Sequence, residues 1–273
     1  MTRTRLTIIF LTLAASSWSC AGEQPATNTA PPANTNAKPV EKQKVTHTIG
    51  TYDPATATFT LKGSGAAPLT FAFGPPNARP VAGDWDGDGI TTIGAYDPAT
   101  ATFTMRNTND AGEPATTAVF GAAGLVPLAG DWDGDGRDTY AVYNPLLGTF
   151  SLSNGTGTQA IDFAFGVPGM VPLAGDWNGD GKDTVGIYDP KGGVFFLNDQ
   201  NTGGEATATF IFGSSGLVPI TGDWNADGRD SAGVYDPKTG TFFLRNTPAS
   251  GPADHTEVFG QPGLVPVAGH WTR

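Results

Sequence analysis

From His47 onward the chain repeats itself, and this constrains it more than any other feature. Trp85, Trp132, Trp177, Trp224 and Trp271 follow one another at intervals of 47, 45, 47 and 47 residues. A Phe-Gly pair recurs at Phe73, Phe120, Phe165, Phe212 and Phe259 with the same intervals. Tyr52, Tyr96, Tyr143, Tyr188 and Tyr235 each precede Asp-Pro or, once, Asn-Pro. The periodicity is visible within the one chain.

A single unit parses into four short strands separated by turn signals. In the clearest copy, strand A runs from Val171 to Trp177, strand B from Thr184 to Tyr188, strand C from Val194 to Leu197 and strand D from Thr207 to Phe212. The B–C turn reads Asp-Pro-x-x-Gly, where Pro fixes φ and Asp bonds its own turn backbone. Helical periodicity is absent. Four strands in a unit of this length are the pattern of a β-propeller blade.

The two ends of the repeat are cut at complementary points. The first copy begins inside strand B, at Thr48 to Tyr52, and the last stops after strand A, at Val265 to Trp271. Strand A from the C-terminus can complete strands B, C and D from the N-terminus, which closes a ring and leaves no open end. The expected fold is all-β: a five-bladed β-propeller with four antiparallel strands per blade.

Between strands A and B lies a recurring acidic loop. Its copies carry Asp84, Asp86 and Asp88; Asp131, Asp133 and Asp135; Asp176, Asn178 and Asp180; and Asp223, Asn225 and Asp227. Oxygen side chains at positions 1, 3 and 5, followed by Gly at position 6, let a tight loop wrap a hard cation. Carboxylates this close repel one another unless a cation sits between them. Softer metals would ask for His or Cys, so calcium is the expected ion, at up to four sites. The alternative is an Asx-turn loop without metal. The fifth copy has His270 in place of the first Asp, three residues before the end, and reads as a seam residue.

These motifs carry a family resemblance. Phe-Gly, Gly-Asp-Trp and Asp-x-Asp/Asn-Gly/Ala-Asp-Gly resemble the FG-GAP repeat of integrin alpha-chain propellers and the bacterial VCBS-type repeats, over His47 to Arg273. The resemblance implies calcium held through positions 1, 3 and 5, a carbonyl at 7 and a carboxylate at 9. Here position 9 is Thr92, Thr139, Thr184 or Ser231, and an Asp sits one place earlier in three copies, at Asp138, Asp183 and Asp230. Either those three coordinate or water replaces them. The first loop has Thr91 there and is expected to bind most weakly. An affinity of ~10⁻⁴–10⁻³ M suits such an extracellular module.

The remaining aromatic residues suit packing: the Tyr before each turn and the strand C residues Phe59, Phe103, Phe150, Phe195 and Phe242. The repeated Trp suit packing between blades, with sugar stacking as the alternative. The C–D loops (Asn107 to Thr116, Asn154 to Ala160, Asn198 to Ala206, Asn246 to His255) vary between copies and are the candidate specificity elements. Every recurring acid has a turn or metal explanation, and His47, His255 and His270 belong to no triad, so no enzyme is expected. A lectin-like sugar binder and a structural envelope protein without ligand stand as alternatives to a binding or adhesion module.

The first 46 residues read differently. Arg3 and Arg5 precede an apolar run from Leu6 to Leu13 and a small-residue stretch ending at Cys20, the only Cys. Residues 1–19 are expected to be a lipoprotein-type signal peptide, too short to remain as a membrane span. Cys20 is the expected lipidation site, with cleavage after Ala21 and secretion as the alternative. Residues 20–46 form a Pro/Thr/Asn-rich linker too poor in apolar residues to fold; as a flexible coil it reaches on the order of 30 Å. Residues 47–273 are the propeller. The reading is an exported, lipid-anchored protein, at the outer membrane where the cell has one, with an extracellular or envelope protein or glycan as partner. The net charge of -11 argues against nucleic acid and against an anionic membrane surface. A monomer is expected.

Overall fold

The computed structural model describes residues 46–63, 67–154 and 160–271. The expected signal peptide, Cys20 and nearly all of the linker lie outside the described residues.

Five four-stranded antiparallel sheets make up the described chain. The second blade holds β4 (Arg79–Gly83), β5 (Thr92–Asp97), β6 (Thr102–Met105) and β7 (Thr116–Val119). The third holds β8 (Val126–Gly130), β9 (Thr139–Asn144), β10 (Thr149–Ser153) and β11 (Ala160–Ala164). In the fourth are β12 (Val171–Gly175), β13 (Thr184–Asp189), β14 (Val194–Leu197) and β15 (Ala208–Ile211), and in the fifth β16 (Val218–Gly222), β17 (Ser231–Asp236), β18 (Thr241–Leu244) and β19 (His255–Val258). The first blade is composite: β20 (Val265–Gly269) joins β1 (Thr48–Asp53), β2 (Thr58–Leu61) and β3 (Leu69–Ala72).

The closure expected from the chain ends is present residue by residue. Thr48 lies opposite Gly269 and Tyr52 opposite Val265, in the same register that Thr184 to Tyr188 keeps with Gly175 to Val171 inside one blade. The innermost strands β4, β8, β12, β16 and β20 are successive neighbours, and β20 returns to β4. The fold is a five-bladed β-propeller. Strand A ends at the Gly of Gly-Asp-Trp, so the Trp belongs to the loop, and strand D is one residue shorter at each end than its sequence pattern.

Alternation explains the packing. The first four residues of strand C are buried at every second position in all blades, as expected of a pleated strand between two faces, and only β10 adds a further buried residue, Ser153. The Tyr of strand B and the Phe of strand C are directly opposite, as in Tyr52–Phe59 and Tyr188–Phe195. Their ring centroids lie 4.6 to 4.8 Å apart in every blade, tilted, and both rings are fully buried. Such cross-strand aromatic pairs add about 0.5–1.5 kcal/mol beyond their buried area.

The B–C turns are closed by the side chain that precedes Pro. Asp53, Asp97, Asn144, Asp189 and Asp236 each accept the N–H two residues on, at 2.9 to 3.0 Å. The fifth turn residue is left-handed: Gly148, Gly193 and Gly240 in three blades, but Ala57 and Ala101 in the others.

Candidate metal loops and interblade latches

The acidic loops sit where β4 passes to β5, β8 to β9, β12 to β13 and β16 to β17. In the second blade both oxygens of Asp84 face the loop backbone: Oδ1 accepts the N–H groups of Gly87 and Asp88, and Oδ2 that of Gly89. Asp131 and Asp176 repeat this pattern, and Asp223 keeps most of it. Position 5 accepts the N–H of position 7, as Asp88 does from Ile90 and Asp180 from Lys182. The first Asp therefore winds the loop, and the winding brings positions 3 and 5 beside it.

In two loops this convergence is complete. Asp84, Asp86 and Asp88, and likewise Asp131, Asp133 and Asp135, present oxygens within 4.8 Å of one another. The other two loops replace the middle carboxylate by an amide, and Asn178 and Asn225 donate Nδ2 to Asp180 and Asp227 at 3.0 Å. That amide relieves part of the repulsion. Burial raises the Asp84 pKa above the ordinary carboxylate range; the N–H groups of Gly89, Gly87 and Asp88 oppose the shift, and the Asp88 charge adds to it. A hard divalent cation fits this donor set, an all-oxygen cluster on a tight loop. Asp84, Asp86, Asp88, Asp131, Asp133 and Asp135 would hold it, with Asp176, Asn178, Asp180, Asp223, Asn225 and Asp227 in the two amide-bearing loops.

Position 8 carries a contact between blades. Asp138 Oδ2 accepts the backbone N–H of Asp84 in the preceding blade at 2.8 Å, and the Asp138 N–H donates to the Asp84 carbonyl. Asp183 grips Asp131 in the same way, and Asp230 grips Asp176. At the seam the series continues with other side chains. His47 Nδ1 accepts the N–H of Asp223 at 3.1 Å while the His47 N–H donates to the Asp223 carbonyl. Thr91 Oγ1 accepts the N–H of His270 at 3.0 Å, with the reciprocal bond from Thr91 N–H to the His270 carbonyl. Five two-bond latches thus run around the ring, one per blade boundary. His47 also lies 3.6 Å from Asp230 Oδ1.

The latches explain the Gly of Gly-Asp-Trp. A Cβ at Gly175 would stand 2.7 Å from the Trp177 ring and 2.9 Å from the Asp230 Cβ. The ring folds back over its own strand and the next blade's latch closes from the other side. Trp132, Trp177, Trp224 and Trp271 are buried, and Trp85 is half-buried. The packing reading holds for these residues, and sugar stacking on exposed indole faces does not.

The C–D loops share the end of the ring with the acidic loops, because strands A and C run in the same direction. Two are tied directly to a latch residue: Asn109 Nδ2 donates to the Thr91 carbonyl and Asn201 Nδ2 to that of Asp183, both at 2.9 Å. Two are wound around an arginine. Arg106 reaches Asp110 and the Glu113 carbonyl, and Arg245 reaches the carbonyls of Ala249, Ser250 and Pro252. These loops also lean on the preceding blade: Ser250 Oγ accepts the edge N–H of Ile211, which caps an otherwise open strand edge.

Sequence reasoning placed the loop triads but missed the latches. The signal was there: His47 precedes Thr48 as Asp183 precedes Thr184, so His47 occupies the latch column of the repeat.

No protein family matches the chain, and no curated protein does. Among solved structures, the chain is similar to BBS1N in its complex with ARL6DN, at 8% identity and a TM-score of 0.41; the match covers 75% of this chain and 63% of that one. It is also similar to an Agrocybe aegerita lectin that recognises non-reducing terminal N-acetylglucosamine, at 15% identity and a TM-score of 0.44, covering 84% and 71%.

Proposed function

We propose that the protein is a non-catalytic, calcium-stabilised binding module of the cell envelope, recognising a protein or a glycan. One observation carries this reading: the variable C–D loops are pinned, through Asn109 and Asn201, to the backbone of the loops suited to a cation. Specificity commonly sits on such loops over a rigid scaffold. A bound calcium ion would neutralise the converging carboxylates of the A–B loops. Its effect on the ligand surface would then pass through Thr91 and Asp183 to the C–D loops. Up to four ions are proposed, with the residues named above as ligands.

Other observations favour binding over catalysis. The recurring acids are engaged as turn closers, loop winders or latches. Neutral structural use without ligand is the second alternative, and a lectin-like sugar binder with repeated interblade sites the first. Export and lipid attachment at Cys20 complete the proposal. The test is a glycan array and an envelope-protein pull-down on the chain lacking residues 1–46, each with and without calcium. Calcium-dependent retention of one partner class supports the reading; no retention in either format, with calcium present, rejects it.

A further inference from the structure

Three basic side chains lie across acidic loops that belong to the preceding blade. Position 7 of the A–B loop is Arg137 in the third blade, Lys182 in the fourth and Arg229 in the fifth, each one residue before a latch aspartate. The latch fixes where they go. Asp138 holds Asp84, Asp183 holds Asp131 and Asp230 holds Asp176, so the side chain just before each is carried onto the loop that its partner winds. A Cβ at Gly87 would stand 2.9 Å from Arg137 Cγ and 3.5 Å from its Nε. At Gly134 it would stand 2.9 Å from Lys182 Cγ and 3.0 Å from its Cε, and at Gly179 3.0 Å from Arg229 Cγ and 3.3 Å from its Nε. These glycines are position 4, between the oxygen-bearing positions 3 and 5.

Position 4 itself records the crossing. Gly87, Gly134 and Gly179 hold φ at 75°, 78° and 76°, and Ala226 holds the same turn at 58°. An alanine therefore fits the winding, so the backbone alone does not demand glycine. What keeps a methyl group out of three loops is the side-chain stem lying on them. Over the Asp223 loop the corresponding column is filled by Thr46, the residue before the His47 latch, which is short and uncharged. Glycine stands where a basic stem crosses, and alanine where none does.

Arg137, Lys182 and Arg229 are exposed residues whose stems lie on the loop while the charge stays in water, an arrangement common for long basic side chains. Each brings one positive charge beside the carboxylates that the winding has gathered. That charge relieves carboxylate repulsion when no ion is bound, and it opposes an arriving divalent cation. Solvent and salt hold the effect to about tenfold in affinity or less.

We propose that Arg137, Lys182 and Arg229 are intramolecular counter-charges for the acidic loops of the preceding blade: each supports its loop when no ion is bound and lowers the loop's affinity for a divalent cation. The second half rests on the calcium reading above. The Asp176 and Asp223 loops provide the comparison within one molecule. Both carry two carboxylates and one amide at positions 1, 3 and 5, yet only the first lies under a basic stem. Of these two, the Asp223 loop has the higher affinity. It is also the loop held by His47, so an ion bound there bears on the boundary where the composite blade meets the fifth.

Melting curves and calcium titrations of the full-length chain test this. Arg137→Gln, Lys182→Gln and Arg229→Gln together should lower the melting temperature in chelator at low salt, and the loss should fade at about 1 M salt, where screening is strong. In calorimetric titration, Arg229→Gln should tighten calcium binding about three- to tenfold at the Asp176 loop, the site identified by the signal that Asp180→Asn removes. Thr46→Lys with Ala226→Gly builds the missing crossing and should weaken binding at the Asp223 loop by a similar factor. Chelator melts that the triple variant leaves unchanged, or lowers equally at high salt, overturn the proposal. So does calcium binding that Arg229→Gln does not tighten, or a wild type whose Asp176 loop binds more tightly than its Asp223 loop. If wild type and variants all melt alike with and without calcium, the calcium reading falls, while a salt-sensitive loss in chelator still supports the counter-charge.

Discussion

His47 Nδ1 accepts the backbone N–H of Asp223 at 3.1 Å, across 176 residues of sequence, in the place that an aspartate fills at three other blade boundaries. The residue that leads into β1 is thereby held to the fifth blade. Removing this acceptor in His47→Ala should lower stability by about 1 kcal/mol, the worth of one partly buried hydrogen bond. His47→Asp, which restores the side chain used elsewhere, should recover most of it. Thermal melts of the two variants check this.

Deleting Val265 to Arg273 removes β20 and leaves the edge of β1 unpaired. The expected outcome is loss of a single cooperative melt, since the composite blade loses its inner strand and the ring its closure. A truncated chain that melts like the intact one would show that the closure contributes little.

Calcium should raise the melting temperature, and chelation should lower it. Each site loaded at one hundred times its dissociation constant contributes about 2.7 kcal/mol. The loops with three converging carboxylates, at Asp84 and Asp131, should load before those at Asp176 and Asp223, where an amide already bridges to position 5. The count of carboxylates at positions 1, 3 and 5 sets this order, whereas Thr91 at position 8 alone would put the Asp84 loop last. Calorimetric titration of Asp86→Asn and Asp133→Asn against Asp180→Asn gives the order.

Alkaline unfolding should be coupled to the tyrosines. Burial, with the Asp53 charge adding to it, pushes the Tyr52 hydroxyl from 10.0 up to about 12, and burial also raises Tyr96, Tyr143, Tyr188 and Tyr235. The neutral phenol is favoured in the folded state. That stability is fully present below pH 10.0 and is lost as pH rises toward 12. Tyrosinate absorbance should therefore appear together with loss of near-ultraviolet circular dichroism, in one transition. Tyrosinate forming well before unfolding would contradict the burial argument.

Ala101 holds φ at 56° where three other blades place Gly. Non-glycine residues pay about 1–2 kcal/mol in this region. Ala101→Gly should stabilise by roughly 0.5–1 kcal/mol once the entropy lost by glycine is offset, readable as a shift in the denaturation midpoint.

The repeat made the fold legible because each strand carries its own signal: a Tyr before Asp-Pro, a Phe at strand C, a Gly-Asp-Trp at the end of strand A. The cut points at Thr48 and Gly269 showed the closure, since complementary ends leave few other arrangements. The loop triads were legible for the same reason. Asp138, Asp183 and Asp230 were not, because their partners lie on another blade, 54, 52 and 54 residues away. Nothing local separates a carboxylate that turns toward an ion from one that turns toward a neighbouring amide. Arg137, Lys182 and Arg229 were equally silent, because the loop that each one crosses belongs to the preceding blade.

The composite blade also fixes the order in which a newly made chain can finish folding. Strands β1 to β3 are synthesised before the four contiguous blades, yet they wait for β20, the last of the described strands, before the inner edge of β1 is covered. Until then the second to fifth blades can each form from contiguous residues, and the leading end is exposed to strangers with strands of their own. A chain built this way pays for a closed circle with a long-range contact that only a completed polypeptide can make. Synthesis that stalls before Val265 should leave the inner edge of β1 unpaired and the ring open.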